Sequence, residues 1–233
     1  TRKGLVRWAD GTLTTLTTAD GLPDNVVVHL FACLGDHGED ELWIATQGGL
    51  ARLSENRLSV FDETDGLPGN SVLSLMGLQA EDGARVLWVG TGAAGLARLR
   101  NGSWDVFTTD DGLPARRINA LAPVRGAADG MSAWVATPGG LAKVAGRTVI
   151  PCGRAFGLPS RPIIAVLSDA STCNDGLMWI GTDGGGLAHY RFGRWTSFSR
   201  ATGLETSTVG AFCEFQGDDG PPKMWVGCAD GLM

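Results

Sequence analysis

The sequence contains no long apolar run. Its longest such stretch, Val26 to Leu34, is interrupted by His29 and falls far short of the roughly 20 residues that cross a bilayer as a helix. No membrane insertion by this segment is expected, and no apolar h-region of an export signal comes after Thr1, Arg2 and Lys3. Positive charge is also scarce: 19 Lys and Arg stand against 25 Asp and Glu, a net charge of −6. That balance argues against a nucleic-acid partner, which calls for a basic face. Charged residues are only 19% of the chain and hydrophobic ones 43%, too apolar for a disordered tail and sufficient for a folded core.

Residues that bind metals or carry out acid-base chemistry are sparse as well. The five cysteines (Cys33, Cys152, Cys173, Cys213, Cys228) are odd in number, contain no C-x-x-C pair and are spread too widely for a zinc knuckle. They are expected to be mostly buried free thiols. The three histidines, His29, His37 and His189, lie next to neither a cysteine nor one another. No metal site, catalytic residue or cofactor is therefore assigned. Gly90-Thr91-Gly92-Ala93-Ala94-Gly95 matches the dinucleotide pattern G-x-G-x-x-G in form. A short apolar run and an Asn101-Gly102 turn come after it, not a helix whose N-terminus could hold a pyrophosphate.

Glycine is abundant, 35 of 233 residues, without a collagen period, which predicts many tight turns. It falls into a repeat. Gly-Leu-Pro occurs at Gly21, Gly66, Gly112 and Gly157, with Gly203-Leu204-Glu205 as a fifth, altered copy, at steps of 45, 46, 45 and 46 residues. Trp43, Trp88, Trp134, Trp179 and Trp225 repeat the same steps, and Gly-Leu recurs at Gly4, Gly49, Gly95, Gly140, Gly186 and Gly231. Within one unit four short runs can be read, Val26 to Leu34, Leu42 to Thr46, Leu50 to Leu53 and Leu58 to Phe61, none long enough for a helix. Turn residues such as Gly11, Asn56, Gly102 and Gly193 separate the last two. Four strands in about 45 residues make the blade of a β-propeller.

The predicted fold is all-β, one propeller domain over residues 1–233 with five four-stranded antiparallel blades. The chain opens on a third strand and ends soon after a second, so the last blade is expected to be composite, closed by a two-plus-two latch. The alternative is an open fragment, or one closed by pairing with a second chain. Each repeated Trp should be buried between blades. The basic slot Arg7, Arg52, Arg98, Lys143 and His189 should be structural, spanning sheets or pairing with Asp20, Asp65 and Asp111.

The unit Gly-Leu-Pro-x-Asn-x-Val, then Leu-Trp-Ile-Ala/Gly-Thr-x-x-Gly-Leu-x-Arg, then Trp-x-x-Phe-x-x-x-Asp-Gly-Leu-Pro, resembles the two-component regulator propeller repeat. Gly66 to Val72 and Leu87 to Thr91 match it best. The resemblance implies an extracytoplasmic sensor propeller, hence a periplasmic or extracellular location, and a polar ligand such as a glycan. Family propellers usually have more blades, and the Asn slot, kept at Asn25 and Asn70, becomes Arg116, Arg161 and Ser207.

A fold needs the residues its units share, and a ligand needs those that differ. Asn25, Asn70, Arg116, Arg161 and Ser207 share one slot in the links into first strands; Gln47, Asp183 and Asp230 vary in the links from second to third strands. The expected site gathers these eight on one loop face, with guanidinium forks suited to a carboxylated or sulfated ligand. Solvated, turn-capping loops are the competing reading. The favoured function is a non-enzymatic binding or sensor module for an oligosaccharide, another polar ligand or a protein, with self-association through open strand edges as a further route. A purely architectural or engineered repeat comes next, and a lyase or hydrolase last.

Overall fold

The computed structural model describes residues 1–35, 38–80, 82–124, 131–152, 158–168, 178–204, 207–215, 223–229 and 231–232. The chain divides into two compact units, Thr1–Thr109 with Arg116–Ile118, and Asp110–Ala115 with Asn119–Met233.

The first unit holds three antiparallel sheets. β1 (Leu5–Ala9) and β2 (Thr12–Leu16) form a two-stranded one; β3 (Val27–Leu34), β4 (Asp40–Thr46), β5 (Leu50–Ser54) and β6 (Arg57–Phe61) form the first full meander. β7 (Val72–Gln79), β8 (Arg85–Thr91), β9 (Leu96–Arg100) and β10 (Ser103–Phe107) form the second. The second unit contains β11 (Ala120–Pro123), β12 (Ala133–Thr137), β13 (Gly140–Ala145) and β14 (Thr148–Cys152), then β15 (Ile163–Ser168), β16 (Met178–Thr182), β17 (Leu187–Arg191) and β18 (Arg194–Phe198). Its last sheet is β19 (Val209–Phe215), β20 (Lys223–Cys228) and β21 (Gly231–Leu232). The all-β, blade-by-blade reading therefore holds: four sheets are complete meanders, with the two-stranded sheet β1–β2 in the first unit and the three-stranded sheet β19–β21 in the second. One detail differs. The chain does not stop after a second strand, because Gly231, at φ 138, turns it back so that Leu232 and Gly231 pair with Gly227 and Cys228.

Sheets pack face to face within each unit. Trp43, Leu50, Leu67 and Val72 pack with Leu75, Leu87 and Val89 between the two full meanders of the first unit. In the second unit Leu141, Ile163 and Ile180 fill the equivalent layer. Trp43 and Trp88 are buried, Trp134 and Trp179 are half-buried, and Trp225 is 45% exposed, so the expected burial of every repeated Trp is met in full only at the first two. Trp43 is covered by the sheet after its own. Alternation along the first strands is poor for a second reason besides two-sided burial. A bulge recurs between Val27 and His29, Val72 and Ser74, Ile163 and Ala165, and Val209 and Ala211, shifting each strand by one residue.

Three shared residues of the unit acquire definite roles. The Thr that ends the second strand is buried at Thr46, Thr91, Thr137 and Thr182, and its hydroxyl donates to the carbonyl of Gly49, Gly95, Gly140 or Gly186 at 2.7–2.8 Å. The basic slot lies cross-strand from the repeated Trp: Trp43 faces Arg52, Trp88 faces Arg98, Trp134 faces Lys143 and Trp179 faces His189. Arg98 lies 5.3 Å from the Trp88 ring centre, Arg52 lies 5.8 Å from that of Trp43, and the His189 ring stacks on Trp179 at 4.8 Å. The cations are thus structural, but their partners are aromatic rings and strand carboxylates rather than Asp20 and Asp65. Those aspartates cap 3-10 turns, accepting from the backbone N–H of Thr17 and Asp62.

The hairpin turns follow their chemistry. Asn101 and Gly102 have φ of 50° and 75°, the paired positive values of a type I′ turn, and β9 begins directly after Gly95, which excludes a dinucleotide helix there. Cysteines are less uniform than expected. Cys33, Cys152, Cys213 and Cys228 are all free thiols; Cys213 is exposed and the others are half-buried. Cys152 fills its expected place against the Leu141 layer, where burial pushes its thiol pKa up. Cys173 and His37 lie outside the described residues.

Candidate functional site

The links into β3, β7, β11 and β19 each start with a one-turn 3-10 helix. Thr17 and Asp62 cap the turns Thr18–Asp20 and Glu63–Asp65, and Gly21 and Gly66 close them at φ near 100°, a conformation that costs glycine little. Directly after them, Leu22 and Leu67 plug the core. Seven residues beyond the start of the turn sits the variable slot. The Asn25 Oδ1 accepts from the Thr18 N–H at 3.0 Å and the Asn70 Oδ1 from the Glu63 N–H at 3.1 Å. The Arg116 Nε donates to the Thr109 hydroxyl at 3.4 Å. In the first unit, then, this slot ties the link to its own turn, and the asparagine acceptors are already engaged. Asn70→Ala should cost about 0.5 to 1.5 kcal/mol, one capping hydrogen bond, read as a lowered denaturation midpoint with an unchanged slope.

The two kinds of link do come together within each unit. The Gln47 N–H donates to the Val26 carbonyl at 3.2 Å, the Gly92 N–H to Ser71 at 2.8 Å, and the Gly95 N–H to Arg116 at 2.9 Å. Gln47 is exposed. In the second unit the Asp183 N–H donates to the Pro162 carbonyl at 2.9 Å, and the Gly186 N–H to that of Ser207 at 2.7 Å. The Asp183 carboxylate accepts from the Thr208 hydroxyl at 3.3 Å. The aliphatic stem of Arg161 lies over Gly185, where a Cβ would stand 2.9 Å from its Cγ. Arg161 and Asp183 are exposed and Ser207 is half-buried. Asp230 lies outside the described residues. Gathering of the links is therefore legible in the structure of each unit taken by itself.

A different group of residues escaped sequence reasoning. Glu41 on β4 is buried beside Arg52 of β5, Arg85 of β8 and Cys33 of β3. Burial, followed by the Glu41 charge, raises the Cys33 thiol pKa. Glu41 stands two residues before Trp43, where the other units have Val86, Ser132, Leu177 and Lys223, so its singularity was visible in the aligned repeats. Burial also lowers the His189 pKa, with Arg191 adding to it, which favours the neutral imidazole stacked on Trp179.

No family model and no curated protein matches the sequence. Among solved structures the chain is similar to PorZ of Porphyromonas gingivalis, described as an essential bacterial surface component of the type-IX secretion system. The TM-score is 0.67 at 16% identity, over 99% of this chain and 35% of that one. The fold is a β-propeller. This propeller chain spans about a third of the length of the PorZ chain it matches, and at such identity the likeness extends to the fold alone. The two-component regulator repeat rests on its motif residues, with no family match beside them.

Proposed function

We propose that the chain is a non-enzymatic recognition module of an extracytoplasmic or surface protein, binding an anionic polar ligand such as a carboxylated or sulfated oligosaccharide through its loop face. The observation that carries this reading is the division of labour in the links. Capped 3-10 turns, αL glycines and side chain-to-backbone bonds hold the loops in place, while the exposed positions on them differ from unit to unit, with guanidinium groups at Arg116 and Arg161. Rigid loops lower the ordering cost of binding, and a guanidinium fork selects carboxylate or sulfate. The resemblance to sensor propellers and the likeness to a bacterial surface component are consistent with an exported location.

The test is binding of the full chain to an array of carboxylated and sulfated oligosaccharides, with the hits titrated by calorimetry. Arg116→Ala combined with Arg161→Ala, one in each unit, should leave the melting curve in place and weaken a hit by about tenfold or more, through the charge-assisted contact of whichever loop holds the ligand. Undiminished affinity in the folded double variant rejects the loop face as the binding surface.

A further inference from the structure

Within the first unit a cleft of about 780 Å³ opens between the β3–β6 and β7–β10 sheets, a volume in the range of small-molecule sites. Its apolar walls include the rings of Phe31, Trp43, Phe61 and Trp104. Its charged lining is Glu41, Asp65, Arg52 and Arg85, two of each sign, so the local field favours neither a net anion nor a net cation.

Two of these groups are poorly served by the protein. Glu41 is only 8% exposed, yet its neighbours are distant: Arg52 Nη1 at 3.4 Å, Arg85 Nη1 at 3.8 Å and the Cys33 sulfur at 3.9 Å. Well-formed guanidinium–carboxylate bonds are about 2.7–2.9 Å. Arg52 makes that one long hydrogen bond, and its buried Nε has no acceptor among the described residues. Its counterpart one blade on shows what is missing. Arg98 donates from Nε and Nη2 to Asp105 at 3.2 and 2.6 Å. In the strand register Asp105 stands opposite Arg98, and Ser59 stands opposite Arg52. An under-bonded carboxylate therefore adjoins an under-bonded guanidinium beside a set of aromatic rings.

We propose that this cleft binds a free aromatic α-amino acid as its zwitterion. The ligand carboxylate takes the Nε and Nη2 edge of Arg52, the position that Asp105 occupies on Arg98. The ligand ammonium donates to Glu41, and the aromatic side chain packs among Trp43, Phe61 and Trp104. An α-amino acid carries both poles on one carbon and no net charge, which suits an adjacent ion pair in a balanced cleft. A site that bonds both poles discriminates against a ligand lacking one, because the buried Glu41 carboxylate or the buried Arg52 Nε is then left under-bonded. This inference does not depend on the loop-face reading, and none of its residues lies there.

The experiment is calorimetric titration of the full chain with L-phenylalanine and L-tryptophan. Saturable binding is expected, with N-acetyl-L-phenylalanine and L-phenylalaninamide each weaker by about tenfold or more. Ser59→Asp supplies Arg52 with a carboxylate from the protein itself and should weaken L-phenylalanine binding by about tenfold or more, while the melting temperature stays at or above that of the parent. Arg52→Lys, which keeps the charge but loses the fork, should give the same loss and serves if the first variant does not fold. Absence of saturable binding for both amino acids overturns the proposal. So does equal binding of the acetylated or amidated ligand, or full affinity in a folded variant of either kind.

Discussion

Trp88→Ala is expected to lower the unfolding free energy by about 3 to 5 kcal/mol, a large part of the roughly 5 to 15 kcal/mol typical of a whole domain. Trp88 is fully buried, its ring lies 5.7 Å from that of Phe107, and the Arg98 guanidinium lies 5.3 Å from its centre. Truncation removes the contacts with the Phe107 ring and the Arg98 guanidinium and leaves a cavity that adds to the lost burial. The loss should appear in chemical denaturation, together with a fall in melting temperature of roughly 10 °C. Trp225→Ala is the internal control: at 45% exposure it should cost much less. Equal effects at the two positions would contradict the difference in burial between the two indoles.

Arg98→Ala ranks second, at about 2 to 4 kcal/mol. Its side chain is 7% exposed and bridges two groups at once, the Asp105 carboxylate at 2.6 Å and the Trp88 face. Removal takes the guanidinium away from Asp105, itself only 25% exposed, and the loss of that counter-ion is the larger part of the cost. Two further variants separate the contributions. Asp105→Ala added to Arg98→Ala should recover part of the lost stability, since the carboxylate is then gone as well. Arg98→Lys should recover only some of it, because an ammonium lacks the planar fork that reaches carboxylate and ring together. If the double variant were as unstable as the sum of the single ones, the pair would not be coupled as its geometry requires.

The propeller was legible because its signals are periodic. Trp43 and Trp88 recur at the blade period, and a residue needed in every blade must recur there. The strands fell where expected to within one or two residues, β6 at Arg57–Phe61 for a predicted Leu58 to Phe61. The 3-10 turns were missed although their signature was present: Thr17-x-x-Asp20 and Asp62-x-x-Asp65 carry capping residues three apart. Without those turns the Asn25 and Asn70 side chains had no visible backbone partner and read as candidate ligand groups. Glu41 was hidden differently. It comes after the acidic stretch Gly38-Glu39-Asp40, which reads as a solvated turn, and only the pairing of β4 with β5 and the packing of β8 against it place one of those carboxylates inside. Periodic residues report the scaffold, whereas a cleft depends on which irregular residues two neighbouring sheets bring face to face.

The pairing of the repeated indoles with several kinds of surroundings has a spectroscopic consequence. Trp43 and Trp88 lie buried beside guanidinium groups, Trp179 stacks on an imidazole, and Trp225 meets water. An indole emits further to the blue in dry surroundings and further to the red when wetted, and a protonated imidazole in contact quenches it. The repeated indoles of the first unit are therefore alike, and they differ from Trp179 and Trp225 of the second. The order in which buried and wetted emission changes during unfolding can report which unit opens first, with no label added.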